Sequence, residues 1–334
     1  MRALLLIDLE QYDADDPDLS KRQPEQYLES EFHVSGALRN MGMDVLSVPA
    51  TADFVAMMQA VRRARPDIVF NLVEHVGGQR SGDSIVASLL ESDGWAYTGA
   101  SARALTIARD KFLSKQIVAS AGVSVPKCIL SDGRSTTDPV TIPFPAIVKP
   151  SALDGSEGIT ANSYVNTQSE LRREIKRVVR KFAMPAICEE YIDGRELIVT
   201  LSGVEKISVD SIRELVFPER AEIGFATERV KFDQGYKKRN GIYYRTPNRL
   251  LASLDGKVER AARAAYRALE IKSYAKLEFR VRGSDVIFIE ANPNSLLSRN
   301  AKTTDFAKIG YERFVAKIVR MALTQRGRKS GRNH

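Results

Sequence analysis

Two glutamates and an asparagine near the carboxyl end of the chain carry the clearest chemistry. Glu278 lies in the run Tyr274-Ala275-Lys276-Leu277-Glu278-Phe279-Arg280. Glu290 and Asn292 lie in Asp285-Val286-Ile287-Phe288-Ile289-Glu290-Ala291-Asn292-Pro293-Asn294. Both runs are rich in β-branched and aromatic residues, and Gly283-Ser284 separates them, which predicts a β-hairpin. The two-residue period of a strand puts Glu290 and Asn292 on one face. Two carboxylates and an amide oxygen on one rigid face suit a hard divalent cation, Mg2+ or Mn2+. Such an ion takes one or two protein carboxylates, keeps several waters and bridges to substrate phosphates. Two solvent-facing glutamates on a half-buried sheet would read the same way in sequence.

Other segments offer groups that such an ion would need around it. A strand predicted at 143–150 ends in Lys149-Pro150, and the small-residue stretch Ser151-Ala152-Leu153-Asp154-Gly155-Ser156-Glu157-Gly158-Ile159 follows. Its backbone N–H groups can cradle phosphate oxygens, with Lys149 adding a point charge. It is not a Walker A loop, because the lysine precedes the glycines and no helix follows at once. A strand at 186–192 bears Glu189-Glu190 beside Tyr191 and Ile192, and a helix over 110–121 begins Asp110-Lys111. Residues 232–247 are polar, basic and tyrosine-rich without periodicity, which reads as a long surface loop; such loops often serve as lids.

The amino-terminal third alternates strand and helix: strands at 2–7, 44–48, 66–71 and 95–98, helices at 24–41, 52–64 and 83–90. This order predicts a parallel sheet with helices on both faces and ligand-binding loops at the carboxyl ends of its strands. The glycine-rich loop Glu74-His75-Val76-Gly77-Gly78-Gln79-Arg80 sits at one such end. His75 there is either a substrate contact or a surface histidine. Helices are further expected at 168–182, 254–269 and 311–323.

At 334 residues with 43% hydrophobic content, the chain can hold two or three domains with real cores. Cys128 and Cys188 are its only cysteines, too few for a disulfide framework or a thiolate zinc site, and a reducing, cytoplasmic setting fits. No apolar run approaches a membrane span. The net charge of +8 is shared with a basic carboxyl tail. No zinc finger, aromatic-basic RNA motif or basic recognition helix directs that charge to nucleic acid. A polyphosphate nucleotide and carboxylate substrates account for it equally well.

Taken in order, five segments resemble the ATP-grasp superfamily and, within it, the D-alanine–D-alanine ligases. They are Tyr97-Thr98-Gly99-Ala100; Asp110-Lys111; Val148-Lys149-Pro150-Ser151 with Gly155-Ser156; Glu189-Glu190-Tyr191-Ile192 with Gly194-Arg195-Glu196; and Ile289-Glu290-Ala291-Asn292-Pro293. The resemblance covers residues 1–325. It implies an α/β fold, α+β in the carboxyl half: a Rossmann-like parallel-sheet domain (1–103), a central ATP-grasp subdomain with the phosphate loop (104–194), a carboxyl-terminal subdomain with the metal site and mobile loop (195–325), and a basic tail (326–334) expected to carry no ordered element. It also implies ATP and Mg2+ as cofactors, small amino-acid or carboxylate substrates, and a homodimer.

Residue by residue, the resemblance gives Lys111 and Lys149 to the nucleotide phosphates. Glu189, with the backbone of Tyr191 and Ile192, matches the adenine-reading hinge, and Glu196 the carboxylate that holds the ribose hydroxyls. Ser156 matches a serine that closes over phosphate and substrate. Lys237 looks like the mobile-loop lysine that meets the γ-phosphate. Glu278, Glu290 and Asn292 match the metal ligands, and Lys276 stands where the family carries a catalytic arginine. The implied reaction activates a carboxylate as an acyl phosphate, which an amine then attacks.

The substrate side departs from the family pattern. Glu278 replaces an aspartate, Lys276 an arginine, Glu157 a serine and Lys238 a catalytic tyrosine. Asn294-Ser295-Leu296-Leu297-Ser298-Arg299-Asn300 replaces Pro-Gly-Leu-Thr and the serine after it. Glu31 or Glu29 is the candidate for the substrate-amine glutamate, and Arg299 or Arg245 for an acceptor carboxylate, although each arginine can equally be a structural surface residue. Those departures keep a second reading open, an ATP-binding regulatory or partner protein of the same fold.

Overall fold

Ala3 to Ile7 are all aliphatic and fully buried, and they form most of the strand β1 (Arg2–Asp8). It pairs in parallel with β2 (Asp44–Ala50) on one side and β3 (Ile68–Asn71) on the other. Ala3, Leu5 and Ile7 pack with α1 (Glu29–Asn40) and the closing helix (Tyr311–Ser330). Leu4 and Leu6 pack with α2 (Phe54–Ala64) and α3 (Gly82–Ser92). A strand covered on both faces has no use for alternation, hence the continuous apolar run. The computed structural model describes residues 1–21, 29–134, 141–219, 221, 224–247 and 252–330. The expected helix 24–41 is therefore seen from Glu29 onward, and residues 22–28 lie outside the described part. The stretch 95–98 meets the sheet through one parallel bridge, Val69 to Tyr97, rather than as a full strand.

Two helices meet at Asp110, where one was expected: α4 (Ala102–Arg109) and α5 (Lys111–Ser120). The Asp110 carboxylate accepts the backbone N–H groups of Phe112 and Leu113, so it caps α5 and places Lys111 on its first turn. Beyond them β4 (Cys128–Ser131), β5 (Ala146–Pro150), β6 (Tyr164–Val165), α6 (Gln168–Phe182) and β7 (Ala186–Glu190) build an antiparallel sheet ordered β4-β7-β5-β6.

The third sheet is antiparallel and ordered β10-β9-β8-β11-β12. Its strands are β8 (Arg195–Gly203), β9 (Ser208–Val216), β10 (Tyr243–Arg245), β11 (Ser273–Arg282) and β12 (Asp285–Pro293). α9 (Ala252–Ala268) packs Val258, Ala262, Ala265 and Tyr266 against it. Between β9 and β11 the structure corrects one expectation. The stretch expected as an irregular loop, 232–247, instead holds α8 (Gln234–Asn240) and β10, with α7 (Glu228–Phe232) leading into it, around a small core of Leu215, Val230, Tyr236 and Ile242. Each helix is under two turns, too short to display a period, and Thr227 and Asp233 cap them. The closing helix also runs through Ser330, so the start of the basic tail is helical; residues 331–334 lie outside the described part. No helix among the described residues is long and apolar enough to cross a membrane.

Candidate active site

β11 and β12 form the expected hairpin, turning at Gly283-Ser284. Glu278 and Glu290 stand directly opposite each other, and Lys276 and Asn292 form the next pair on that face. β12 carries one extra residue at this point, since Phe279 pairs with Phe288 while Glu278 pairs with Glu290. The bulged residue, Ile289, turns its carbonyl to the Lys115 ammonium at 2.6 Å. On the other side of β11, Glu196 of β8 pairs with Arg280.

Lysines converge on these acids from three elements. Lys111 Nζ lies 3.4 Å from Glu290 Oε2 and donates to the carbonyl of Leu153 in the phosphate loop. Lys231 Nζ, at the end of α7, lies 3.0 Å from Glu278 Oε1 and 3.9 Å from Glu290 Oε1. Glu189 at the end of β7 is clamped by Lys115 at 2.8 Å and Lys149 at 3.0 Å. Burial works against the Glu189 charge, but the two ammonium groups outweigh it and hold the carboxyl below its ordinary range. The same contest at Glu290 is won by Lys111, Lys231, Lys149 and Lys115, so it stays ionised. Glu278 goes the other way: burial raises it, Lys231 opposes, and Glu290 adds repulsion. Burial also pushes the Lys276 ammonium down to about 8, with the carbonyl of Leu296 accepting from it at 2.8 Å.

Several of these groups line a cleft enclosing about 590 Å3 of empty space, solvent mouth included. Lys149, Glu189, Tyr191, Ile192 and Glu196 line it, with Ser156 at the phosphate-loop end and Glu278 and Glu290 at the floor. Gly155 and Ser156 both adopt left-handed backbone conformations, which curls the loop over the cleft. Asn292 lies in an adjoining cavity with Asp154, Gly155, Arg80 and Arg109. The facing Glu278 and Glu290 carboxylates, both approached by the Lys231 ammonium, are of the donor type that would hold a divalent cation, with Asn292 the next residue on that face of β12.

The substrate-side candidates separate. His75 Nδ1 lies 2.8 Å from Asp8 Oδ2 at the carboxyl ends of β1 and β3. Glu31 on α1 is buried within electrostatic reach of Asp8 and Glu74, and burial pushes its carboxyl up to about 8. The Glu29 side chain lies outside the described residues. Arg299 is drawn off to Glu312 and is half exposed, and Arg245 to Glu214 at 2.7 Å, so neither reaches the cleft. Lys237 donates to the backbone carbonyl of Lys231, and it is Lys231 that meets the carboxylate pair.

Sequence reasoning missed Lys115, Lys231 and Arg280. Lys115 had a signal, the four-residue helical spacing from Lys111, and Arg280 had the strand period from Glu278. Lys231 had none, because its reach depends on α7. The Tyr97-Thr98-Gly99-Ala100 motif gains a physical meaning here. Gly99 has φ of +96° and lies against the Asn294 side chain, whose Oδ1 accepts the Ala100 N–H at 2.6 Å. It ties the stretch just before α4 to the end of β12.

Three comparisons bear on the family and the fold. The family described as "D-ala D-ala ligase C-terminus" matches residues 133–320, more than half of the chain. The D-alanine–D-alanine ligase of Gluconobacter oxydans is 28% identical over 299 residues, 86% of this chain and 91% of that protein. An uncharacterised protein of Sinorhizobium fredii, y4sG, is 30% identical over 227 residues, 66% of this chain and 63% of that one. Among solved structures, the Bacillus anthracis D-alanine–D-alanine ligase complexed with ATP superposes with a TM-score of 0.72 at 18% identity, covering 98% of this chain and all of that one. The VanG D-Ala:D-Ser ligase of Enterococcus faecalis gives 0.69 at 16% identity, covering 96% and 99%. The chain belongs to the D-alanine–D-alanine ligase family, with the ATP-grasp fold of an ATP-dependent carboxylate–amine ligase.

Proposed function

We propose that the protein joins two small amino-acid-like substrates through an acyl phosphate, and that the Glu278–Glu290 face is where phosphoryl transfer occurs. A carboxylate oxygen of the donor attacks the γ-phosphorus of ATP and ADP leaves. The acceptor amine then attacks the acyl carbonyl, loses a proton and expels phosphate. Amide, ADP and phosphate are the products.

The residues divide that work. Glu189, with the backbone at Tyr191 and Ile192, reads the base, and Glu196 holds the ribose. Lys111 and Lys149 supply fixed positive charge along the phosphates, and Ser156 covers them from the curled loop. Lys276 faces the developing negative charge on the acyl centre, and Lys231 takes the lysine role that the sequence gave to Lys237. Glu278, Glu290 and Asn292 would hold Mg2+, which when bound neutralises charge on the β- and γ-phosphates. Catalysis here is preorganised charge in a water-poor cleft, and so no serine or cysteine nucleophile is required. On the amino-acid side, His75 and Glu31 face the substrate from the first domain, and the free cysteines accord with a cytoplasmic setting.

The observation that carries this reading is the facing carboxylate pair bracketed by Lys111 and Lys231. The relatives above that carry ligase names are D-Ala–D-Ala and D-Ala:D-Ser ligases, whereas the cavity adjoining the cleft here is lined by Arg80, Arg109 and Asp154, so the acceptor is left to a screen. ADP release measured over paired D- and L-amino acids, with mass spectrometry of the product, is expected to show turnover that needs both partners. ATP binding with no turnover across the whole panel would instead favour a regulatory protein of the same fold.

A further inference from the structure

Arg280 stands two residues beyond Glu278 on the same face of β11, with its own carboxylate opposite it. Its guanidinium donates to Glu196 Oε2 at 2.6 Å, to the Gly194 carbonyl at 2.9 Å and to the Gly224 carbonyl at 3.1 Å. Its central carbon lies 5.7 Å from the centre of the Tyr191 ring, and the Tyr191 hydroxyl donates to the same Gly224 carbonyl at 3.2 Å. Arg280 and Glu196 are 6% and 5% exposed, and both line the nucleotide cleft. Phe225 and Ala226, next to Gly224, line it as well.

This arrangement leaves the two oxygens of Glu196 unlike each other. Oε2 is occupied by a charge-assisted bond, and Oε1 remains for a ligand. A glutamate has three rotatable torsions, and fixing one oxygen removes most of that freedom before the ligand arrives. The planar fork of arginine suits the task, since one rigid group spans three acceptors that a lysine ammonium on a flexible stem could not hold together.

We propose that Arg280 is a positioning residue for ribose recognition. By holding Glu196 Oε2 and the Gly224 carbonyl together, it aims Oε1 at the sugar hydroxyls and fastens the covering segment to the carboxylate that reads them. This rests on the nucleotide reading of the cleft. Arg280 acts through Glu196, so its loss changes discrimination between sugars and not merely affinity.

The test is calorimetric binding of ATP, 2′-deoxyATP and 3′-deoxyATP, with Mg2+ present, to the full-length protein and to Arg280→Met and Arg280→Lys. The unaltered protein is expected to prefer ATP over at least one deoxy analogue by about tenfold. Arg280→Met is expected to narrow that ratio below about threefold, chiefly by weakening ATP, with Arg280→Lys in between. Should Arg280→Met fail to fold, the ratio in Arg280→Lys decides. A variant that loses affinity equally for all three nucleotides keeps the original ratio and overturns the proposal, as does a wild-type protein indifferent to the hydroxyls. Wild-type protein that binds no ATP at all removes the nucleotide reading itself, a different failure from ATP binding with an unchanged ratio.

Discussion

On the nucleotide side of the cleft, Glu189 sits between two lysines, Glu290 beside Lys111, and Glu196 against Arg280. At the opposite end, where β1 and β3 finish, Asp8, Glu31 and Glu74 gather around His75, and Glu31 Oε2 is buried without a hydrogen-bond partner among the described residues. Both ends bury carboxylates, yet lysines hold Glu189 and Glu290 below their ordinary range, while burial raises Asp8, Glu31 and Glu74 above theirs. A buried charge with a partner is rigid and ready to act on a ligand's charge; a buried carboxylate without one is held as the neutral acid until a cation arrives. The difference suits the ligands proposed for each end. A polyphosphate meets a preset array, and an ammonium group supplies the missing partner.

The sharpest way to break this comparison is to remove charge from the array. Glu290→Gln keeps the shape while deleting the charge shared by Lys111 and Lys231 and turning one of the two acceptor oxygens into a donor. Turnover with an active substrate pair is expected to fall by roughly a thousandfold or more, with the circular dichroism spectrum unchanged. Near-normal activity would mean that the carboxylate pair is not the metal site.

Next in size is Lys231→Met, which leaves Glu278 and Glu290 facing each other with no cation between them. The variant is expected to lose about ten- to a hundredfold in activity. It is also expected to gain more thermal stability from added Mg2+ than the unaltered protein does, because the ion replaces a lost ammonium as well as entering its own site. Equal Mg2+-induced shifts in melting temperature for the two proteins would show that Lys231 does not stand in the metal's place.

A third change tests the seam between the two ends. At Gly99 a side chain would meet Asn294 and would be strained by the positive φ. Gly99→Ala is expected to cost about 2–3 kcal/mol of unfolding free energy in denaturant titrations. A cost below about 0.5 kcal/mol would show that the seam adapts freely.

The contrast also explains what the sequence could reveal. Glu278, Glu290 and Asn292 were legible because strands impose a two-residue period and a short turn fixes their pairing. Lys149 and Glu189 were legible because they end runs of buried residues. Lys231 was not, because two short helices with no visible period carry it inward. Arg299 and Arg245 stayed open between an acceptor contact and a structural role, since nothing local to an arginine shows that Glu312 or Glu214 will fold up beside it. The extra residue at Ile289 was also invisible, being a property of pairing and not of either strand alone.

The smallest expected effect belongs to Glu31, and its sign follows from linkage. Burial raises its carboxyl in the folded protein to about 8, against an ordinary value near 4.5. The folded state therefore binds its proton more tightly than the unfolded chain does. The stability this provides is complete below about pH 4.5 and is lost as the pH climbs toward 8, where the folded protein must bury a charge or give up the site. Glu31→Gln places a permanently neutral group there and escapes that loss. In urea titrations without substrate, the variant should match the unaltered protein near pH 5 and exceed it at pH 8.5 by an amount on the order of 1–3 kcal/mol, less than the full shift implies because water and relaxation soften it. If Glu31 is the unpaired acid that awaits an ammonium, a substrate amino acid added at pH 8.5 should close the gap by stabilising the unaltered protein and not the variant. A gap that is the same at both pH values would place a partner beside Glu31 already, and the two ends of the cleft would then handle buried charge alike.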